Sequence, residues 1–175
     1  IEGKYFHAVS GCRVMDTRKW NNGSESFSIP GSHAVTVMFS NAFDNIAAQG
    51  GDPSGCPDLP DDAAAFAVTL SVVAPGFPAN PFGTLGFATL IPYDEALIVS
   101  DWTLSPTETP ADNQLFTYNT PPFAQAANLT FDYATSVIAN TTIVQACELC
   151  AWHGMLFTSS EGHYIIDVVG YFGDP

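Results

Sequence analysis

Residues 166–172 read Ile-Asp-Val-Val-Gly-Tyr-Phe, and residues 12–18 read Cys-Arg-Val-Met-Asp-Thr-Arg. Both stretches place charge inside an otherwise apolar, strand-like run, where an unpaired charge would be costly. The chain has only four basic residues, and two of them lie in the second of these stretches. We therefore expect the first and last strands to meet and to share a structural ion-pair cluster made of Arg13, Asp16, Arg18 and Asp167. Such a pairing would close one domain end to end, and it predicts a role in stability rather than in chemistry.

Period-two alternation of apolar and polar residues recurs along the chain. It is clearest at 33–39, 66–73 and 128–133, and Gly- and Pro-rich segments separate these runs. The run at 164–172 is apolar on both faces, which is typical of a central strand. Residues 41–49 are the one place where we expect a helical turn. The pattern predicts an all-β protein, a single antiparallel β-sandwich or jelly-roll-like domain over residues 1–175.

Five stretches, taken together, resemble a domain that occurs, often repeated, in secreted and cell-surface proteins of bacteria, especially actinobacteria. The pattern of that family opens with a variant of Arg-Leu-Leu-Asp-Thr-Arg and closes with Asp-Val-Val-Gly-Tyr-Phe. Matching stretches occur here in the same order, at 13–18, 56–60, 66–74, 86–92 and 167–172. Asp58 and Leu59 interrupt the family's usual Cys-Gly-Val-Pro, and residues 101–113 follow its pattern loosely. The resemblance implies an extracellular β-rich module without enzymatic activity.

Composition limits the classes of function. Hydrophobic residues make up 46% of the 175 residues, which favours a packed core over disorder. No apolar stretch approaches the roughly 20 residues that a membrane-spanning helix needs. The chain shows no leader sequence at its start, so we expect any secretion signal to have been removed.

The charge is strongly negative and unevenly distributed. The formal net charge is −14, all four basic residues fall within the first 19, and 16 of the 18 acidic residues lie beyond them. Nucleic-acid binding needs a basic surface, and docking on anionic lipid needs one as well, so both are excluded as expected partners. Few lysines and many acidic residues suit a secreted protein in a medium containing salt or divalent cations; the alternative is a surface that negative charge simply keeps from aggregating.

Four cysteines allow three pairings. In a secreted setting, disulfides are favoured over metal thiolates. We predict Cys12–Cys56, which would join two of the stretches that resemble the family, and Cys147–Cys150 as a local link. For the segment around this second pair, a zinc site that includes His153 and a redox-active Cys-x-x-Cys stay open as alternatives.

Calcium is the cofactor that the acidic residues suggest, because it takes several oxygen ligands. The candidate ligands lie in one loop: Asp52, Asp58, Asp61 and Asp62. A thinner second candidate comprises Asp94, Glu95 and Asp101. The spacing does not match an EF-hand, and a solvated acidic loop is the alternative reading.

No catalytic group stands out. The four histidines accompany no Gly-x-Ser-x-Gly turn, and no pair of acids is singled out for glycoside hydrolysis. We therefore predict that the protein is not an enzyme. Trp20 and Trp102 lie among polar residues and are expected to be exposed, so that Trp102 with Tyr93 could stack a sugar. Sequons suggest glycosylation at Asn22, Asn128 and Asn140.

These observations lead to a functional hypothesis: a secreted, non-enzymatic structural protein that associates with itself into an extracellular filament or surface array. We expect residues 1–11 to form an extended, basic arm that pairs with an acidic surface of the next copy or adds as a strand to its sheet. The arm can equally fold onto its own domain. The alternative function is an adhesive module that binds carbohydrate or calcium, and a third is an enzyme with an unrecognised carboxylate pair.

Overall fold

Two antiparallel sheets form the protein. The computed structural model describes residues 2–40, 45–73, 86–93, 107–108, 113–117, 128–131, 137–147 and 153–175. The four-stranded sheet has the order β1 (Tyr5–Asp16), β10 (His163–Gly173), β3 (Ala65–Val73) and β8 (Val137–Gln145). The six-stranded sheet has the order β5 (Thr107–Glu108), β6 (Gln114–Thr117), β2 (His33–Val37), β9 (Gly154–Thr158), β4 (Gly86–Pro92) and β7 (Leu129–Phe131). The predicted all-β, sandwich-like fold is confirmed. Among the described residues, no helix has the length and apolar character needed to cross a membrane.

The first and last strands meet, as the charge pattern predicted. β1 runs antiparallel to β10, and Arg13 lies directly opposite Asp167. β10 is flanked on its other side by β3, so the strand predicted to be central is central. Both of its faces are largely covered, which explains why its sequence is apolar on both.

The core lies between the sheets and follows the alternation in the sequence. In β3, the inward side chains are Phe66, Val68, Leu70 and Val72, all buried. The ring centroid of Phe66 lies 5.3 Å from that of Phe39, which follows β2, so this pair joins the two sheets. Each such large side chain contributes about 1.5–3 kcal/mol when buried. The alternation therefore accounts for how the two sheets are held together.

The segment after β2 covers half of the outer edge of β1. It contains the short helix α1 (Asn45–Ala48), inside the range where a helical turn was expected. The amide N–H of Asp16 donates to the carbonyl of Gln49 at 3.0 Å, and that of Asp52 donates to the carbonyl of Arg13 at 2.8 Å. The edge of β1 that remains beyond this cover is its N-terminal half.

The amide side chain of Gln49 is fully buried and fully bonded. Its Nε2 donates to the carbonyls of Val14 and Met38, and its Oε1 accepts from the amide of Met38 and from Asn113. Because a buried amide without partners would be costly, these bonds fix the position of the segment against β1.

One expectation is corrected here, and one open alternative is decided. Trp20 is not exposed: its side chain is 0% accessible and belongs to the main core, and its ring packs 5.8 Å from that of Phe27. The polar residues that follow it in the sequence form a largely exposed turn. The N-terminal residues fold onto their own domain, the second of the two possibilities for this segment, because Tyr5 lies opposite Gly173 and Ala8 opposite Gly170 in the same chain.

Candidate functional site

The predicted ion-pair cluster is present where β1 meets β10. Arg13 places Nε 2.9 Å from Oδ1 and Nη2 3.2 Å from Oδ2 of Asp167, a two-point contact. Its Nη1 also lies 3.3 Å from Oδ2 of Asp16. Arg18 makes a second two-point contact with Asp16, at 2.9 Å and 2.8 Å. Fork-shaped contacts of this kind are the strong form of the arginine–carboxylate interaction.

The hydrogen bonds in this cluster stabilise the charged forms of Arg13, Asp16 and Arg18. Burial disfavours the charged form of Asp16, but the hydrogen bonds from Arg18 outweigh it, so the pKa of Asp16 is lowered. The hydrogen bond to Asp167 raises the pKa of Arg13, and the bond to Asp16 raises that of Arg18. Arg13, Asp16 and Arg18 therefore stay ionised at neutral pH, and the cluster is a structural link between the first and last strands.

Most of the basic residues form ion pairs with acidic residues of the same chain. Besides the two arginines, the Nζ of Lys4 lies 2.7 Å from a carboxylate oxygen of Asp174, beside the C-terminus. Lys19 is the only base that makes no ion pair with any of the described residues. A basic arm reaching for an acidic neighbour would therefore have little free charge to offer.

A cleft of about 420 Å³ opens beside the ion pair. Its polar lining comprises Arg13, Lys19, Asn22, Asp52 and Asp167, and four glycines expose backbone to it. A smaller cleft of about 280 Å³ adjoins it and shares Gly11 and Asp52. Hydrogen-bond donors and acceptors, including side chains of both charges, therefore line this cleft.

The predicted disulfide Cys12–Cys56 is confirmed, with the two Cα atoms 5.8 Å apart. It ties β1 to the acidic loop. Cys147 is also disulfide-bonded, and Cys150, the partner predicted for it, lies outside the described residues. A disulfide removes the thiolate that a zinc role for Cys147 would need, whereas a redox-active pair has a disulfide as its oxidised form.

Two of the four acids proposed as calcium ligands accept local hydrogen bonds. Asp52 accepts hydrogen bonds from the amide and hydroxyl of Ser54, which lower its pKa. Asp61 accepts from the hydroxyl of Ser40, at 2.6 Å. Asp58 and Asp62 are exposed. In the described part of the chain, no three His, Cys, Asp or Glu side chains gather as metal ligands. The second acidic candidate, Asp94, Glu95 and Asp101, lies outside that part.

The histidines occupy structural positions. His153 is buried between the rings of Phe39 and Phe66, with centroids 6.1 Å and 5.7 Å away, and its Nδ1 accepts a hydrogen bond from the amide of Phe39. Burial lowers its pKa to about 4, so it is neutral at pH 7. His163 meets the buried hydroxyl of Thr17, which also accepts from a backbone amide.

The proposed sugar-stacking pair is only partly described. Tyr93 is half-buried against a small second core cluster, and burial raises its pKa. Trp102 lies outside the described residues. The sugar-stacking pair therefore stays a prediction.

Two of the three sequon asparagines are tied into hydrogen bonds. Oδ1 of Asn128 accepts from the amide of Leu90, and its Nδ2 donates to Thr142. Asn140 donates to the carbonyl of Asn128. These bonds link β4 to β8, across the gap between the sheets. Asn22 is exposed, in a turn with a positive φ of 56°.

The strand β8 forms one edge of the four-stranded sheet. Its nine residues contain no charge and no proline, and its side chains Val137 and Ile143 are each 54% exposed. No described strand pairs with its outer side. Natural proteins usually blunt such an edge with lysine, proline or a bulge, because a long free edge readily pairs with another chain.

The outer face of the sheet beside β8 also lacks charge. The neighbouring strand β3 contributes no Asp, Glu, Lys or Arg, and its outward side chains are small: Ala65 and Ala67 are buried, and Thr69, Ser71 and Val73 are half-buried. On a chain with a net charge of −14, these two strands form an uncharged strip. We call this strip, with the free edge of β8, the β8 surface.

The β8 surface was not predicted. Six of the nine residues of β8 are β-branched, a composition that favours a strand, and this signal could have located it. Comparisons with protein-family models, curated proteins and solved structures found no match to this chain.

Proposed function

We propose that this is a non-enzymatic, extracellular structural protein whose copies associate through the β8 surface into a filament or surface array. The observation that carries the proposal is the long, uncharged, free edge of β8 on a strongly acidic chain. Two copies with a charge of −14 repel each other almost everywhere, and the repulsion is weakest where acids are absent. The centres of protein interfaces are likewise poor in charge.

An extracellular location is supported by the disulfide chemistry. Cys12–Cys56 and the bonded Cys147 suit an oxidising compartment, since cytosolic thiols are kept reduced. The resemblance of the terminal motifs to a bacterial cell-surface domain points the same way.

Open-ended growth is supported by the arrangement of the four-stranded sheet. β8 lies at one edge, and β1 lies at the opposite edge, where Tyr5 and Phe6 are 60% and 53% exposed. A subunit with one self-associating edge forms closed dimers, whereas a subunit with two such edges on opposite sides can be extended in both directions. The second contact needed for a filament would therefore use the N-terminal half of β1.

The test compares the wild-type protein with two lysine variants. Ile143→Lys places a charge on the β8 surface, while Ser26→Lys adds the same charge at an exposed site away from it. Association would be measured by sedimentation velocity over a range of concentrations, and the products by negative-stain electron microscopy with and without millimolar calcium.

We expect wild type and Ser26→Lys to form filaments or regular sheets, and Ile143→Lys to associate about tenfold more weakly. A tenfold change corresponds to about 1.4 kcal/mol, less than the cost of burying an unpaired charge. Calcium dependence would assign a role to the acidic loop. Uniform single particles of wild type under all conditions would overturn the proposal.

A polyhydroxylated sugar is the second candidate partner, and the cleft beside the ion pair favours it. Lys19 and Asn22 supply donors there, and Asp52 supplies acceptors. Binding of oligosaccharides would be measured by calorimetry on wild type and on Lys19→Ala. Loss of binding in the variant would support an adhesive module, and no binding by wild type would refute it.

A further inference from the structure

The direction of the backbone along β8 follows from two contacts. The amide N–H of Thr141 donates to Oδ1 of its own neighbour Asn140, at 3.0 Å. The hydroxyl of Thr141 lies 3.1 Å from that of Thr69, which is directly opposite on β3. Close side chains mark a pair that exchanges no backbone hydrogen bonds. The backbone groups of Thr141 therefore face away from β3.

Backbone groups alternate between the two sides of a strand, so every second residue of β8 shares this direction. Residues 137, 139, 141, 143 and 145 thus offer their N–H and C=O groups to the free edge. The large exposed side chains of Val137 and Ile143 belong to the same set, and both extend from the outer face of the sheet.

We propose that two copies pair their β8 strands antiparallel, about a two-fold axis that passes between the two Asn140 residues. This inference rests on the proposed function and specifies its contact. A two-fold axis perpendicular to the sheet keeps the outer faces on the same side, and directly opposite residues in antiparallel strands share a face. The axis must then pass between the two copies of one residue, because only then do opposite residues have their side chains on the same face. An axis between the two Asn140 residues places Val137 opposite Ile143 of the second copy.

Side-chain pairing selects this register. It sets Val137 against Ile143 twice, once on each side of the axis, and covers all of the large apolar surface that β8 exposes. Centring on Thr141 instead would place Val137 opposite Gln145 and Ile143 opposite Ala139. Pairs of β-branched apolar side chains are more favourable than either alternative.

The side chain of Asn140 competes with this contact. Its Oδ1 occupies the N–H of Thr141, which in the dimer would donate to the carbonyl of Ala139 in the second copy. The side chain must turn away before the strands join, so removing it in Asn140→Ala strengthens the association. We expect roughly a thirtyfold gain, because the dimer has two such hydrogen bonds, one in each copy, and a net cost of about 1 kcal/mol for each no longer competes.

The register is tested by mixing two cysteine variants of the full chain. Copies carrying Val137→Cys are combined with copies carrying Ile143→Cys and oxidised mildly. Opposite residues that exchange hydrogen bonds have Cα atoms about 5.5 Å apart, which suits a disulfide. The described residues contain no free cysteine that would compete.

A cross-linked dimer is expected in this mixture and not in either variant alone. Two copies of residue 137 would be about 20 Å apart, six residues along the strand. The control mixtures are Val137→Cys with Gln145→Cys, and Ala139→Cys with Ile143→Cys, which report centring on Thr141.

The outcomes separate this inference from the proposed function. If the control mixtures cross-link and the first does not, the register is wrong although the β8 surface is used. If no mixture cross-links while wild type still associates and Ile143→Lys still weakens it, β8 pairing is wrong. If wild type does not associate at all, the proposed function fails as well.

Discussion

Acid should destabilise this protein in a pH range set by one buried residue. His153 lies between Phe39 and Phe66, where its neutral ring accepts the amide hydrogen of Phe39 at Nδ1. Its other ring nitrogen therefore carries the proton at neutral pH. Protonating Nδ1 would break that bond and place a charge among aromatic rings, and the negative charge of Asp61 compensates for only part of this cost.

The size of the effect follows from the pKa. Burial lowers the pKa of His153 from 6.5 to about 4. Between these values the unfolded chain takes up a proton that the folded protein does not, so the stability is complete above pH 6.5 and falls as the pH falls towards 4. A difference of one in pKa corresponds to about 1.4 kcal/mol, so the loss over this range is about 3 kcal/mol. The melting temperature of a domain of this size should fall by about 10 °C.

The assay is urea unfolding followed by fluorescence at closely spaced pH values from 4 to 7.5. The control is His153→Asn, whose Oδ1 can accept from the amide of Phe39 but does not titrate. We expect this variant to be less stable at pH 7.5 and to lose less on acidification, by about the 3 kcal/mol assigned to the imidazole. Equal losses in wild type and variant, or an imidazole that titrates near pH 6.5 by NMR, would refute the reasoning.

Two further predictions concern the places where the chain closes on itself. Asp16→Asn removes the buried carboxylate shared by Arg13 and Arg18, so the free energy of unfolding should fall by about 3 kcal/mol, whereas Asp174→Asn at the exposed pair with Lys4 should change it by less than about 1 kcal/mol. Denaturant titrations of both variants check this, and equal effects would contradict a special role for the cluster. Gly50→Ala introduces a Cβ against the carbonyl of Asp16 at a residue with φ of +82°, so the free energy of unfolding should fall by more than about 1 kcal/mol. Gly23→Ala has the same φ with open space around it, so it reports the cost of the backbone conformation alone. Thermal unfolding distinguishes the two, and an equal loss in both would show that the contact with β1 is not tight.

Several features of the fold could be predicted from the amino-acid sequence. Strict alternation in β3 and the two-sided apolar run of β10 indicated an all-β sandwich with a central last strand, because these patterns reflect which faces are covered. The shortage of basic residues made Arg13 the natural partner of Asp167. Cys12–Cys56 followed from the same few stretches.

Other features depended on the tertiary structure, and the reason is physical. Trp20 is buried in the main hydrophobic core, which its polar neighbours in the sequence do not reveal. The basic N-terminal segment finds its partners in its own chain, so its free charge could not be counted beforehand. Whether a strand lies at an edge is a property of the order of the whole sheet, not of the strand. The composition of β8 therefore predicts a strand, and only the arrangement of its neighbours places that strand at an edge of the sheet.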